Sequence, residues 1–331
     1  MIKGGLSVDA SGLYHYEFNH NPSTLRLAAG AALTMPRSGP VRKMFVAPPG
    51  WTFWARDFSG IEAVLVGWFA GSDRYQRLAK IDIHAFYTAY ALYELEKAIP
   101  YDALPQEKWP DDQLALALSQ IKREFKQRRQ NNKIMVHGGN YLMGPFEAQE
   151  TQLKELGVVV PMKDIKRLQG FYNELFPEIG ESHQKVTGKW ANGLGVAEPS
   201  EQENAHQRTW LRTPFGNWHH YYHVLDWSKA GSGWEAKYGL DAKRSVAFLP
   251  QSSGRFILTR SMQRLAQDVQ DTVRLLLHDE ILGICRTDHL SHCLEVSKDE
   301  MERPIPELNG LVIGTEAKAG TCWGELQTVM D

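Results

Sequence analysis

Apolar positions along this chain follow two periods, and the switches between them mark its segments. Residues 51–58 (WTFWARDF) form a nearly continuous apolar and aromatic run, which predicts a strand. Ile61, Val64, Leu65 and Phe69 then recur at helical spacing behind Ser59, a suitable N-cap, and Gly71 closes that helix. A second helix is predicted over roughly 82–98, starting near Asp82, before a loop punctuated by Pro100, Pro105 and Pro110. A long helix is predicted from near Asp111 toward Gly138, and another over 161–190 behind Pro161. Residues 191–240 lack a clear period and read as irregular or hairpin structure. Phe256, Leu258, Met262, Leu265, Val269 and Val273 lie roughly on one face, predicting an amphipathic helix over 255–275. Residues 273–286 (VRLLLHDEILGICR) are two apolar runs parted by His278-Asp279-Glu280, the pattern of a β-hairpin with a polar tip. A short hairpin is predicted near 9–18, and the proline- and glycine-rich stretch 34–50 reads as a loop. Strands and helices in mixed order suggest an α/β or α+β fold.

The bulk numbers narrow this only slightly. The 331 residues, 43% hydrophobic and 23% charged, suit one large globular domain or two medium ones. No apolar run approaches the roughly 20 residues that cross a bilayer, so no membrane partner is expected. Cys285, Cys293 and Cys322 show no zinc-ribbon spacing and read as reduced thiols, in keeping with a cytoplasmic protein. Lysine plus arginine (37) nearly balances aspartate plus glutamate (39), giving a net charge of −2. Nucleic-acid binding would therefore have to come from local patches.

Three features carry candidate chemistry. Asp57 stands where the strand 51–58 gives way to a helix, with Glu62 about one turn inside it. Asp57 and Ser59 either cap the helix or present an oxygen ligand to a hard divalent cation. His278-Asp279-Glu280 is either a plain turn or a second carboxylate site. Two strand ends each offering an aspartate are what a two-metal phosphoryl-transfer site needs. In the basic run 122–133, Arg129 and Lys133 fall four apart, followed at the same interval by His137 and Tyr141. On a continuous helix these four make one stripe, in which two cations suit the phosphates of a nucleotide and a ring beyond them suits its base. Gly138 and Gly139 weaken the helix there and mark a kink or hinge. His219, His220 and His223 lie among aromatic residues without a carboxylate at ligand spacing and read as packing or surface histidines. P-loop, Rossmann and GxSxG patterns are absent.

These segments, in this order, resemble the A-family DNA polymerases, the group of bacterial DNA polymerase I and many phage replicative polymerases. DFSGIE at 57–62 resembles motif A, RRQNNKIMVHGGNY at 128–141 motif B, and LLLHDEILGI at 275–284 motif C. TLRLAA at 24–29, MPRSGPVRKMFVAPPGW at 35–51, DIH at 82–84, LPQSSG at 249–254 and GTCWGE at 320–325 are supporting matches. The chain departs from the pattern at His137, where the family has Phe or Tyr, at Gly60, a usual Gln, and at Gly139-Asn140.

The resemblance implies an α+β fold. Its right-hand palm, an antiparallel sheet backed by helices, would take residues 1–74 and 241–331, and mostly helical fingers would take 75–240. It implies a DNA-directed DNA polymerase, a nucleotidyltransferase of DNA replication in a bacterial or phage-infected cell, adding dNTPs to a primer 3′-end. Asp57 and Asp279 would hold two Mg²⁺ ions, with Mn²⁺ as a substitute, and Glu280 in support. Arg129, Lys133 and His84 would bind the triphosphate, Lys133 also delivering a proton to pyrophosphate. Glu62 would exclude the ribose 2′-OH, Tyr141 would stack near the templating position, and the His137 imidazole would stand where the family has its nucleotide-binding aromatic ring. Arg26, Gln251 and His278 would contact the primer-template DNA. Nothing in the match corresponds to a thumb or exonuclease domain, so a separate polypeptide is expected to supply them. The rival readings are a non-catalytic DNA-binding or assembly subunit that keeps the polymerase fold, and a two-metal phosphohydrolase.

Overall fold

A computed structural model describes residues 9, 10, 12, 15, 35, 40–188, 206–230 and 233–330, with only the backbone of 206–209, 227–230 and 233–236. In chain order, the first elements are α1 (Pro40–Lys43), β1 (Trp51–Phe58), α2 (Ile61–Ala70), α3 (Asp73–Ile81) and α4 (Ile83–Ala91). The helices α5 (Asp111–Glu124), α6 (Lys126–Asn140), α7 (Pro145–Leu156), α8 (Met162–Leu175) and α9 (Pro177–Thr187) follow. Then come β2 (His206–Arg212), β3 (Trp218–Ala230), β4 (Gly233–Tyr238), α10 (Ala242–Arg264) and α11 (Gln267–Gln270). The chain closes with β5 (Val273–Leu277), β6 (Glu280–Arg286), α12 (Leu290–Met301), β7 (Thr315–Gly320) and β8 (Gln327–Val329). Two compact units result: Met1–Ile61 with Thr213–Asn217 and Gln251–Asp331, and Glu62–Arg212 with Trp218–Pro250. No helix among the described residues is long and apolar enough to cross a membrane.

The first unit is built on a five-stranded antiparallel sheet of order β5-β6-β1-β7-β8. The central strand β1 is buried on both faces, which is why residues 51–58 read as one apolar run rather than as an alternation. One face packs Phe53, Ala55, Leu275, Leu277 and Leu282 with Met35, Ala47 and Trp323. The other face is covered by α12, which touches β1, β6 and β7. There Arg56, 0% exposed, donates to Ser297 Oγ at 2.9 Å, Thr315 Oγ1 at 2.9 Å and the Leu294 carbonyl at 2.7 Å. The one basic residue of the strand is thus an interior tether to α12 and β7. Gly283 lies under Trp54, where a Cβ would come within 2.3 Å of the indole.

The second unit is helical around α4, whose residues are mostly buried and which packs against α5, α6 and α8, with the three-stranded sheet β2-β3-β4 as a further part of the unit. The sheet falls in the stretch 191–240 expected to be irregular or hairpin structure, and its consecutive antiparallel pairs are hairpins. His219 packs on Tyr221 and Phe248 and His220 on Trp218, so these histidines serve packing.

Several helices differ from their predicted extents. The predicted helix from Asp111 breaks at Phe125 (φ −114°, ψ 37°). Leu114, Leu118 and Ile121 are the buried stripe of α5; carried on unbroken, that stripe would turn Arg128 inward. Beyond the break, Asn132, Met135 and Val136 are among the buried positions of α6. α6 runs without interruption through Gly138 and Gly139 to Asn140. Gly139 instead allows close approach: a Cβ there would lie 2.3 Å from the Tyr172 ring on α8. Tyr75 and Tyr172 both donate to Asn140 Oδ1 at 2.6 Å, forming a buried polar knot behind the helix. The helix predicted over 255–275 starts at Ala242 and stops at Arg264, and the chain re-enters a strand at Val273. Its buried positions include Ser245, Ser252, Ser253 and Ser261, which blur the apolar period, and Pro250 sits inside it. Pro40–Lys43 makes one helical turn within the expected loop 34–50.

Candidate active site

In the first unit, residues far apart in sequence meet on one sheet edge. β1 and β6 pair with Asp57 directly opposite Glu280, and β1 and β7 with Asp57 opposite Glu316. Directly opposed residues project from the same face, so Glu280, Asp57 and Glu316 form one carboxylate row across three strands. The β5–β6 turn is the two-residue tip His278-Asp279, and its Asp279 carbonyl accepts from the Phe58 N–H at 3.0 Å. The tip is thereby bonded to the residue next to Asp57. His278 holds φ +47°, the first central position of a tight hairpin turn, where glycine is usual. A side chain with Cβ costs about 1 kcal/mol there.

Like charges directly opposite one another destabilise a sheet. The structure answers with Lys318, whose Nζ lies 3.1 Å from Glu316 and 4.0 Å from Asp57 Oδ2. The donors at this edge are all carboxylate oxygens, with the Asp279 side chain at the adjoining tip. That donor set suits a hard divalent cation. Glu316 and Lys318 escaped sequence reasoning, because only the β1–β7 register brings them to Asp57.

The second unit assembles the cationic side. Asp82 ends α3 and caps α4, accepting from the Ala85 N–H at 2.9 Å. The same carboxylate takes Arg129 in a fork, Nη2 at 2.8 and 2.9 Å and Nε at 3.1 Å. His84, two residues on, packs its ring 5.1 Å from that of His137. Burial pulls the His84 imidazole well below its ordinary 6.5, and the charges of His137, Lys133 and Arg129 push the same way. His84 Nδ1 is buried without a hydrogen-bond partner among the described residues. His84, Arg129, Lys133 and His137 are therefore one cluster, held by α4 and α6. Tyr141, the last residue of the predicted stripe, is the C-cap of α6 and so lies just past the end of the helix. Glu62 stands half-buried in the first turn of α2, and Gln251 follows Pro250 in α10. Arg26 lies outside the described residues. Asp82 as the holder of Arg129 was not anticipated, although DIH at 82–84 marked the place.

The sheet of the first unit and the helices of the second define the α+β fold of a polymerase palm and fingers. The chain is similar to a solved structure described as the POL domain of Pol1 from M. smegmatis, in complex with DNA primer-template and dNTP. The two share 16% identity with a TM-score of 0.61, over 96% of this chain and 49% of that one. The likeness carries the fold, and this chain spans about half the length of that polymerase chain. No family model matches the chain, and no curated protein matches it.

Proposed function

We propose that the chain is the palm-and-fingers core of a template-directed DNA polymerase of the A-family type, adding dNTPs to a primer 3′-end. The observation that carries this reading is the meeting of Asp57 with Glu280 and the Asp279 tip across β1 and β6. The palm takes 1–74 and 241–331 and the fingers 75–240. Asp57 and Asp279 would hold two Mg²⁺ ions, or Mn²⁺ in their place, with Glu280 in support; bound there, the ions would stabilise the attacking and leaving oxygens.

The chain's own groups do the remaining work. Arg129 exchanges the Asp82 carboxylate for triphosphate oxygens, since the same planar fork suits both. Lys133 gives a proton to the departing pyrophosphate, and neutral His84 offers a hydrogen bond beside it. Glu62 crowds a 2′-hydroxyl, His137 and Tyr141 flank the base, and Arg26, Gln251 and His278 touch primer-template. Duplex affinity rests on phosphate contacts. With a net charge of −2, a separate thumb and exonuclease polypeptide is proposed to supply that grip.

Primer extension by the purified chain, with dNTPs or rNTPs and with or without Mg²⁺, tests this directly. Expected are Mg²⁺-dependent dNTP incorporation and greater rNTP use by Glu62→Ala. A folded chain that binds primer-template but incorporates nothing would establish the second reading, a non-catalytic DNA-binding subunit. The observation favouring that second reading is Lys318, a resident cation 4.0 Å from Asp57.

A further inference from the structure

Three more ligand-bearing side chains converge at the other end of the acid-tipped hairpin. His289 closes the turn that follows β6, and His292 lies in the first turn of α12, three residues later. Asp268 projects from α11, the segment that precedes β5. His292 Nε2 stands 3.0 Å and His289 Nε2 3.3 Å from the same Asp268 Oδ2. All three ligand atoms lie within 4.8 Å of one another, and the two imidazole centroids are 4.8 Å apart.

We propose that Asp268, His289 and His292 form a site for one divalent transition-metal ion of the Zn²⁺ class, separate from the carboxylate row. A carboxylate hydrogen-bonded to His292 and in ion-pair contact with His289 is the simpler account of the 3.0 and 3.3 Å separations. The same separations also fit a coordination shell. With nitrogen and oxygen ligands at about 2.1 Å, neighbouring ligands stand about 3.0 Å apart in an octahedron and about 3.4 Å apart in a tetrahedron. Two imidazoles and one carboxylate suit Zn²⁺, Co²⁺ or Ni²⁺, whereas Mg²⁺ prefers oxygen alone. The partly exposed side chains leave the remaining positions to water.

Position sets the consequence. β6 runs from Glu280 to Arg286, so the triad lies about 20 Å from the acidic tip at the usual rise per strand residue. α11 leads into β5 and α12 follows β6, and one ion would clip together both roots of the hairpin whose tip carries Asp279. The ion would act as a structural brace with no access to the tip.

Tag-free full-length chain titrated with Zn²⁺ by calorimetry, and with Co²⁺ by visible absorption, tests the site. One equivalent should bind and persist in excess Mg²⁺, with Co²⁺ giving d–d bands. Loss of an outer partner typically weakens metal binding 10–100-fold, so His292→Ala or Asp268→Asn should each weaken it at least about 100-fold. Far-ultraviolet circular dichroism should be unchanged, because these side chains are partly exposed. Zn²⁺ should also raise the Tm of the parent chain, and not that of the His289→Ala/His292→Ala chain. Absence of binding, or equal stoichiometry and affinity in that double variant, overturns the proposal.

Discussion

The two units handle concentrated charge in opposite ways. In the first, strand register lines up Glu280, Asp57 and Glu316, and Lys318 lies against the row, 3.1 Å from Glu316 and 4.0 Å from Asp57. In the second, helical spacing gathers Arg129, Lys133 and two histidines, and Asp82 already pairs with the arginine. The first unit gathers like charges on one face of a sheet, while the second pairs its arginine with a neighbouring carboxylate. A row of that kind is suited to capture cations, and a pre-paired fork to exchange one anion for another.

The sharpest way to break this contrast is to remove charge from the row. Asp279→Asn should lower primer extension by at least about 1,000-fold with the fold intact, the scale of losing a main transition-state stabiliser. A rate within tenfold of the parent would end the metal role of the tip. Arg56→Ala comes next. It removes the buried donor to Ser297 and Thr315 and one of the two donors to the Leu294 carbonyl, and opens a cavity, so urea unfolding should report a loss of about 3 kcal/mol. Lys318→Ala should lower the Mg²⁺ concentration for half-maximal extension by roughly tenfold, because a competing cation is gone. An unchanged Mg²⁺ requirement would show that the lysine does not compete.

The smallest expected effect lies behind the cationic helix. His183, 6% exposed, contacts the Asn140 carbonyl at 2.9 Å, and burial lowers its imidazole below 6.5 despite that contact. Below pH 6.5 the unfolded chain binds a proton that the folded chain resists, so stability falls as pH drops from 6.5 toward the lowered value. The slope should reach at most about 1.4 kcal/mol per pH unit for this group. Urea midpoints at about pH 7.5 and about pH 5.5 should differ less in His183→Gln than in the parent chain.

Legibility followed locality. β1 and the β5–β6 hairpin could be read because each is a contiguous apolar run with a polar turn, and their tips carry Asp57 and Asp279. The cluster on α6 could be read because Arg129, Lys133 and His137 share one helical repeat. Glu316 and Lys318 could not, since nothing near residues 315–320 tells which strand they will lie beside. Asp268 escaped for the same reason: its histidine partners sit beyond a whole hairpin. The start of α10 was hidden by inward-facing serines, which carry no hydrophobic period although they are buried.

Gly139 sets a limit on how far the chain can vary. With the Tyr172 ring where a methyl group would need to be, α6 and α8 are spaced by the lack of a side chain. Even alanine there would force one helix outward and with it the Asn140 knot. Drift at this position is therefore tied to Tyr172, and a descendant carrying a larger residue at 139 should also carry a smaller one at 172.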